Sequence, residues 1–463
     1  MFSQVSTFIF RGILFGLCFT SHFLAASEYS FGQQVSLKTY FADNLSLSTI
    51  NKDERYGGTG AVNFDLSRAT ETSSLGSEFL LEANNYNIKS YSTFDQRAKI
   101  DYTKINERGS WGLNGSYDRN STRELEEASQ SFGPREQIDS RVLSKSIGAN
   151  WNWQFDEKNV LSMNFNATDV AYESAFRSGY EYGQGSLLWQ YFWSNRLRLQ
   201  ANVSYSLFDS EDSSVNVLSP LFQDVIDAGL LSLDDASFLV SACQAGINLT
   251  DQVAGGALEP WDCFEELEND RRQSTWAFQV GIYYVFSEKL ALDFLFGKSF
   301  ADSEQSATYI NLPSVNGGEG PRINSQKDDD DGVTYQGSIN YSNERLQSAF
   351  NISRDEGVNG NGTLSLNTRV SLNAQFKFNR RHFVSSDLQW YRLENSGFSG
   401  ADFYDRDIMS STLSYGYNVT ENWSLACTYR FQDLYRVRQE THGRGNEFTL
   451  SAAWNPNKMS WSR

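Results

Sequence analysis

Long apolar runs, histidine, cysteine and excess positive charge are all scarce in this sequence, and each scarcity excludes something. Past its first segment the 463-residue chain offers no stretch of about 18 consecutive apolar residues, so a bundle of membrane-spanning helices is excluded. Three histidines and four cysteines leave little from which to build a metal centre or a nucleophile with its base. With 39 Lys and Arg against 57 Asp and Glu, the net charge is -18, which argues against nucleic acid as a partner because phosphate binding needs a basic surface. Aromatic rings, by contrast, are plentiful: they make up 14% of the residues, yet mean hydropathy is only -0.49. Packed soluble domains combine large rings with aliphatic cores, whereas here the rings come with Ser, Asn, Asp and Gln. So many rings also argue against disorder.

Residues 1–26 read as a secretory signal peptide. Arg11 precedes the apolar run from Gly12 to Thr20, and the small residues Ala25, Ala26 and Ser27 follow, with cleavage expected after Ala26 or Ser27. The run is too short for an anchoring helix and lacks a positive stop signal. The remainder, 27–463, reads as one domain.

That domain alternates with period two. From Leu197 to Leu207 every odd position is apolar and every even one polar, and from Leu364 to Phe378 the even positions are mostly apolar and the odd ones polar or basic. Leu161, Met163, Phe165 and Ala167, and near the end Phe448, Leu450, Ala452 and Trp454, repeat the pattern. A soluble sandwich alternates too, but its strands usually stop at about five or six residues. The longer runs here suit tilted strands crossing a bilayer.

Turns divide into two kinds. Short polar turns occur at Glu71-Thr72, Asn106–Gly109, Asp156–Asn159, Ser194–Arg196, Ser287–Lys289, Asn343–Arg345, Asn379–Arg381 and Thr420–Asn422, with longer and more variable connections between them. Tight periplasmic turns and long external loops mark an outer-membrane barrel. Eight turns pair sixteen strands and one more lies at each end, so the expectation is an all-β, transmembrane, antiparallel up-and-down barrel of 18 strands, with 16 as the nearest alternative. Its first strand is expected at 33–50, the tenth to twelfth at 272–286, 290–302 and 332–343, and the last at 445–455. Trp151, Trp153, Trp189, Trp193, Trp276, Trp390, Tyr415, Tyr417, Tyr429 and Trp454 fall at girdle positions near strand ends.

The stretches Thr72–Gly76 and Asn106 through Thr122, which includes Gly109-Ser110-Trp111-Gly112-Leu113 and Tyr117-Asp118-Arg119, resemble a porin-like family of Gram-negative outer-membrane β-barrel proteins. Some members of such families accompany exopolysaccharide or exosortase systems. The resemblance implies a barrel in the outer membrane and hints at polysaccharide traffic. The end of the chain departs from the common pattern, continuing past Trp454 to Arg463.

One connection, 210–271, is strongly acidic: residues 210–270 hold thirteen Asp or Glu and no Lys or Arg. Within it, Leu230–Val240 reads as a short capped helix. A loop of this length can fold into the lumen, cover the mouth or remain a solvated surface loop. Cys243 and Cys263 bracket its later half and are disulfide candidates in an oxidising compartment, with metal binding the weaker alternative. Cys427 shares a face with Leu425 and Tyr429 and is expected towards lipid. Asp328–Asp331 followed by Gly332 invites a calcium loop, but the EF-hand spacing puts Lys327 at the first ligand position, so a solvated acidic loop is expected and no metal site is assigned.

His382 and His442 fall at opposite ends of the barrel, which leaves no catalytic pair; no cofactor motif occurs, and the expectation is a non-enzyme. Strand phase points Arg97, Asp101, Arg198, Asp293, Arg369 and Lys377 inward, a lining suited to hydrated polar solutes. The function expected is an outer-membrane channel for passage or export of polar solutes, saccharides among them; a non-conducting scaffold or surface-polymer-binding barrel, plugged by its acidic loop, is the alternative. Outer-membrane lipid, lipopolysaccharide, the barrel assembly machinery and polysaccharide are the expected partners.

Overall fold

The computed structural model describes residues 27–44, 47, 54–87, 92–121, 141–173, 179–210, 213–218, 264–310, 322–358, 364–395, 406–436 and 441–462. The signal-peptide assignment, the helix expected at 230–240 and the Cys243–Cys263 pair lie outside these residues. The strands are β1 (Glu28–Ala42), β2 (Arg55–Ala69), β3 (Ser73–Tyr86), β4 (Thr93–Asn106), β5 (Gly109–Ser121), β6 (Arg141–Gln154), β7 (Asn159–Tyr172), β8 (Tyr180–Phe192), β9 (Leu197–Ser210), β10 (Ser213–Leu218), β11 (Phe264–Ser287), β12 (Leu290–Ile310), β13 (Arg322–Ser342), β14 (Leu346–Val358), β15 (Leu364–Lys377), β16 (His382–Asn395), β17 (Arg406–Asn418), β18 (Trp423–Arg436), β19 (Thr441–Trp454) and β20 (Met459–Ser462).

Neighbours pair antiparallel, β9 pairs with β11, and β19 pairs back onto β1. Because β10 pairs only with the start of β11, and β20 only with the start of β1, eighteen of the strands form a closed ring. Closure is what a bilayer demands, since an open edge would leave unpaired N–H and C=O groups in hydrocarbon at several kcal/mol each. No helix among the described residues is long and apolar enough to cross a membrane.

The short turns have a common chemistry. Asp156, Ser194, Asn343, Asn379 and Thr420 each turn a side-chain oxygen back onto the backbone amides two and three residues later, at 2.6–3.2 Å. In each, the second amide belongs to the first residue of the next strand, so the cap sets where that strand starts. The Asn159 side-chain amide, with the backbone amides of Lys158 and Asn159, holds the Asp156 carboxyl below its ordinary value, so the cap weakens as acid protonates it. Asn343→Ala should cost about 1 kcal/mol, read as a shift in denaturant midpoint, while Asn343→Asp, which keeps the acceptor, should cost less. Equal losses would remove the capping role.

Outward positions carry the membrane face. Trp151 stacks on Trp153, and Trp189 packs tilted on Tyr191 and Trp423 on Trp454 near the turn end, while Tyr205 packs on Trp276 near the loop end. On β11, Trp276 and Phe286 stand ten residues apart on the outward face. At about 3.4 Å per residue and a tilt of about 40° that is roughly 26 Å, the height of a barrel's apolar band. Beyond the loop-end girdle a belt of ion pairs links strands on the outer face: Arg119–Glu173 (3.0 Å), Lys145–Asp169 (3.0 Å), Arg272–Asp209 (3.3 Å), Lys298–Asp331, Arg354–Glu394 (3.0 Å), Arg392–Asp407 (2.7 Å) and Arg444–Asp433 (3.2 Å). Such exposed pairs add little stability, about 0–1 kcal/mol each, but they mark where hydrocarbon ends. Cys427 faces outward beside Tyr415 and Leu450 and is a free thiol.

Several expectations need correction. Asp328–Asp331 is not a loop but part of β13, paired with Ser303 to Phe300 of β12, beyond the level of Trp276 and its partner Phe300 on the loop side. The acidic connection is not loop throughout, because β10 and residues 264–269 of β11 continue the sheet into it. β1 ends at Ala42, although Leu45-Ser46-Leu47-Ser48 keeps the alternation going. The chain past Trp454 returns as β20, whose Trp461 stacks on Tyr29 of β1 at 5.7 Å.

Candidate functional site: the barrel interior

Facing the lumen are the polar halves of the alternating strands. Across β2 to β5 the register sets Asp65, Glu78, Lys99 and Ser116 side by side, and Asn63, Leu80, Arg97 and Asp118 in the row above. Arg97 is ion-paired with Asp118, so its charge is largely neutralised. Asp101 is exposed, opposite Asn114 and Gly76. On the far wall, Arg369 lies between Ser353 and Tyr391 and within the field of Asp355 and Asp387, and Lys377 is exposed near the end of β15. Asn202 donates to Gln279 (3.0 Å) and Gln279 to Thr334 (3.3 Å), a hydrogen-bonded chain across four strands. Of the six candidate lining residues, Arg198 and Asp293 are brought near one another; the others are spread around the wall.

Accessibility differs between the two halves. Near the turn end Asp101, Asn114, Asn164, Asn340 and Lys377 are exposed. Near the loop end inner-face residues are buried around the whole ring, among them Thr59, Asn84, Asp95, Phe208, Gln273 and Ile408. Two described elements account for part of this.

The first is the connection after β1. Asp43 accepts from the Asn446 backbone (2.6 Å) and amide (2.7 Å), and Asn44 donates to the Arg444 carbonyl at 2.8 Å, which turns the chain inward. Leu47, at φ 50, then enters an apolar cluster with Tyr391, Leu393, Ile408 and Leu434 on the inner faces of β16, β17 and β18. That conformation costs a leucine of order 1–3 kcal/mol and persists only where packing imposes it. Inner-face Gly443 and Gly445 make the approach possible: a Cβ would lie 1.9 Å from the Leu47 carbonyl oxygen at the first and 2.4 Å from that of Asn44 at the second.

The second element is the top of β14. Its pairing with β13 stops at Tyr335 and Arg354, and Glu356 accepts from Thr275 of β11, three strands away. Charged and hydroxyl groups therefore bridge the inside of the wall instead of facing an empty bore.

Sequence alternation missed both elements, because each depends on contacts with distant strands that the period-two pattern of one strand does not encode. The signal available was the pair Gly443 and Gly445, two residues apart on an inward face where nothing else in β19 calls for glycine. His442 Nδ1 lies 3.0 Å from Asp433 on the outer rim, and His382 Nδ1 lies 2.6 Å from the Tyr415 hydroxyl near the turns. No group of three potential metal ligands occurs among the described residues.

No protein-family model matches the sequence, nor does any curated protein. Among solved structures, the chain is similar to the ferric yersiniabactin uptake receptor FyuA from Yersinia pestis, at 9% identity over 90% of this chain and 65% of that one, with a TM-score of 0.47. It therefore spans about two thirds of that receptor's length. It is also similar to OccAB3 of Acinetobacter baumannii, at 9% identity over 93% of this chain and 99% of that one (TM-score 0.39), and to OccK5 (OpdH) of Pseudomonas aeruginosa, at 10% identity over 92% and 98% (TM-score 0.40).

Proposed function

We propose that this chain is an outer-membrane channel for polar solutes, saccharides among them, with its wide polar vestibule opening to the periplasm and its narrow part towards the exterior. The observation that carries this is a closed ring of eighteen strands whose inner face is polar and, in the turn-end half, accessible. A ring of that size is too wide for wall side chains to fill, so water or inserted chain occupies it. Asn, Gln and Ser on the inner face offer both donors and acceptors, which suits the hydroxyls of hydrated sugars and gives apolar solutes nothing. Export of a surface polysaccharide is the narrower form of this proposal. Lipopolysaccharide around the outer rim and the assembly machinery for insertion are the partners it implies; no catalytic step or cofactor is assigned.

The burial of the loop-end inner face favours a second reading, a barrel that is permanently closed and serves as a scaffold. Planar-bilayer recordings, with swelling of proteoliposomes in arabinose, glucose and sucrose, decide between them. Discrete conductance steps with size-dependent swelling are expected. Silent bilayers over the whole voltage range, with no swelling, would leave the scaffold.

A further inference from the structure

Near the turn end of β9, β11 and β12 lies a cluster that a plain water-filled vestibule does not require. In the register Arg198 faces Tyr283 and Tyr283 faces Asp293, while Gln200 faces Gly281 one inner-face position towards the loop end. The Arg198 guanidinium sits 4.4 Å from the centroid of Phe192 and 4.8 Å from that of Tyr283. Rings that hold the faces of a guanidinium leave its in-plane N–H donors available, and they fix its direction. No ion pair or hydrogen bond among the described residues takes up those donors.

Beside it, two acceptors lack donors. Gln200 is 5% exposed, and its Oε1 is buried without a hydrogen-bond partner; Asp293 Oδ1 is in the same condition. Asp293 lies within reach of the Gln200 side chain and feels the Arg198 charge, so the three form one group. Gly281, opposite Gln200, admits no side chain, since a Cβ there would lie 1.9 Å from the Phe294 carbonyl oxygen of β12. Unsatisfied buried oxygens cost free energy, and here two of them lie beside an arginine whose donors are not taken up.

We propose that Arg198, Gln200 and Asp293 form a binding subsite for a hydroxycarboxylate of the size of a sugar acid. Its carboxylate takes the in-plane edge of Arg198 in a bidentate pair, and its hydroxyls donate to Asp293 Oδ1 and Gln200 Oε1. A neutral sugar leaves the arginine edge unmatched, and a simple carboxylate leaves the two oxygens unmatched. The inference rests on the channel proposal only in requiring that solutes reach this wall from the turn end.

The test is equilibrium binding to the purified barrel in detergent micelles, by saturation-transfer NMR and calorimetry, with glucuronate, glucose and acetate as probes. Glucuronate is expected to bind at least ten-fold more tightly than either of the others. Arg198→Lys, which keeps the charge but loses the fork, and Asp293→Asn should each weaken glucuronate at least ten-fold, with circular dichroism unchanged. Binding of acetate as tight as glucuronate, no binding at all, or an Arg198→Lys variant of undiminished affinity would overturn the subsite. Conductance is measured separately: a barrel that conducts without discriminating among the probes loses the subsite alone, and one that discriminates without conducting loses the channel alone.

Discussion

Gly443→Val should raise the conductance of the reconstituted barrel several-fold. A Cβ at this position meets the Leu47 carbonyl oxygen at 1.9 Å and its carbonyl carbon at 2.7 Å, and backbone cannot step aside as a flexible side-chain tip would. The inward connection must therefore leave its groove. Leu47 then gives up burial worth about 1.5–3 kcal/mol but also escapes its left-handed conformation, so the barrel itself should remain folded. Gly76→Val is the control: it also faces inward, yet nothing lies within 4 Å of its added Cβ, and its conductance should match the wild type. A readout independent of conduction is available. Leu47→Cys, in a background without the other cysteines, should resist a membrane-impermeant maleimide until Gly443→Val is added. Equal labelling and equal conductance with and without that change would show that the connection does not narrow the path.

Val280→Arg should be the most damaging single change on the outer wall. Val280 projects into lipid at 67% exposure, about midway between Trp276 and Phe286, opposite Ala201 and Phe296. Arginine near the bilayer midplane costs about 2–4 kcal/mol on a barrel's lipid face. Asn202→Arg, one strand away but facing water, should cost only about 1 kcal/mol through the lost bond to Gln279. Reversible denaturant titration in lipid vesicles measures both, and similar costs would mean that the two faces have been interchanged.

Most of the ring was legible in the sequence, and the reason is physical. A strand that separates lipid from water must alternate, so the runs from Leu197 and from Leu364 declare both their length and their phase. The capping residues Asp156, Ser194, Asn343, Asn379 and Thr420 are turn-formers by chemistry, so the turn end could be placed to within a residue or two. What failed did so where the two-solvent constraint lapses. Asp328–Asp331 lies beyond the level of Trp276 on the loop side, where a strand needs no apolar face, and its charge suggested a loop. The alternating residues after Ala42 suggested more of β1, yet the contacts that draw them inward come from Asn446 and Arg444, about four hundred residues away in the chain. The inward phase of Arg198 and Asp293 could be read from each strand, but not their convergence, which depends on the register between β9, β11 and β12.

The seam between the first and last strands of the ring bears on how the barrel forms. Val35 pairs with Trp454 and Ala42 with Glu447, so the ring closes only when residues more than four hundred positions apart have met. The entropic cost of bringing such ends together grows only logarithmically with length, but the rate falls steeply as contacts become non-local. Until β19 arrives, β1 has an unpaired edge that could join any strand in the periplasm, including that of another copy. Insertion should therefore be slow and all-or-none, with the nascent edge shielded throughout, and truncation anywhere before β19 should yield aggregate in preference to a smaller barrel.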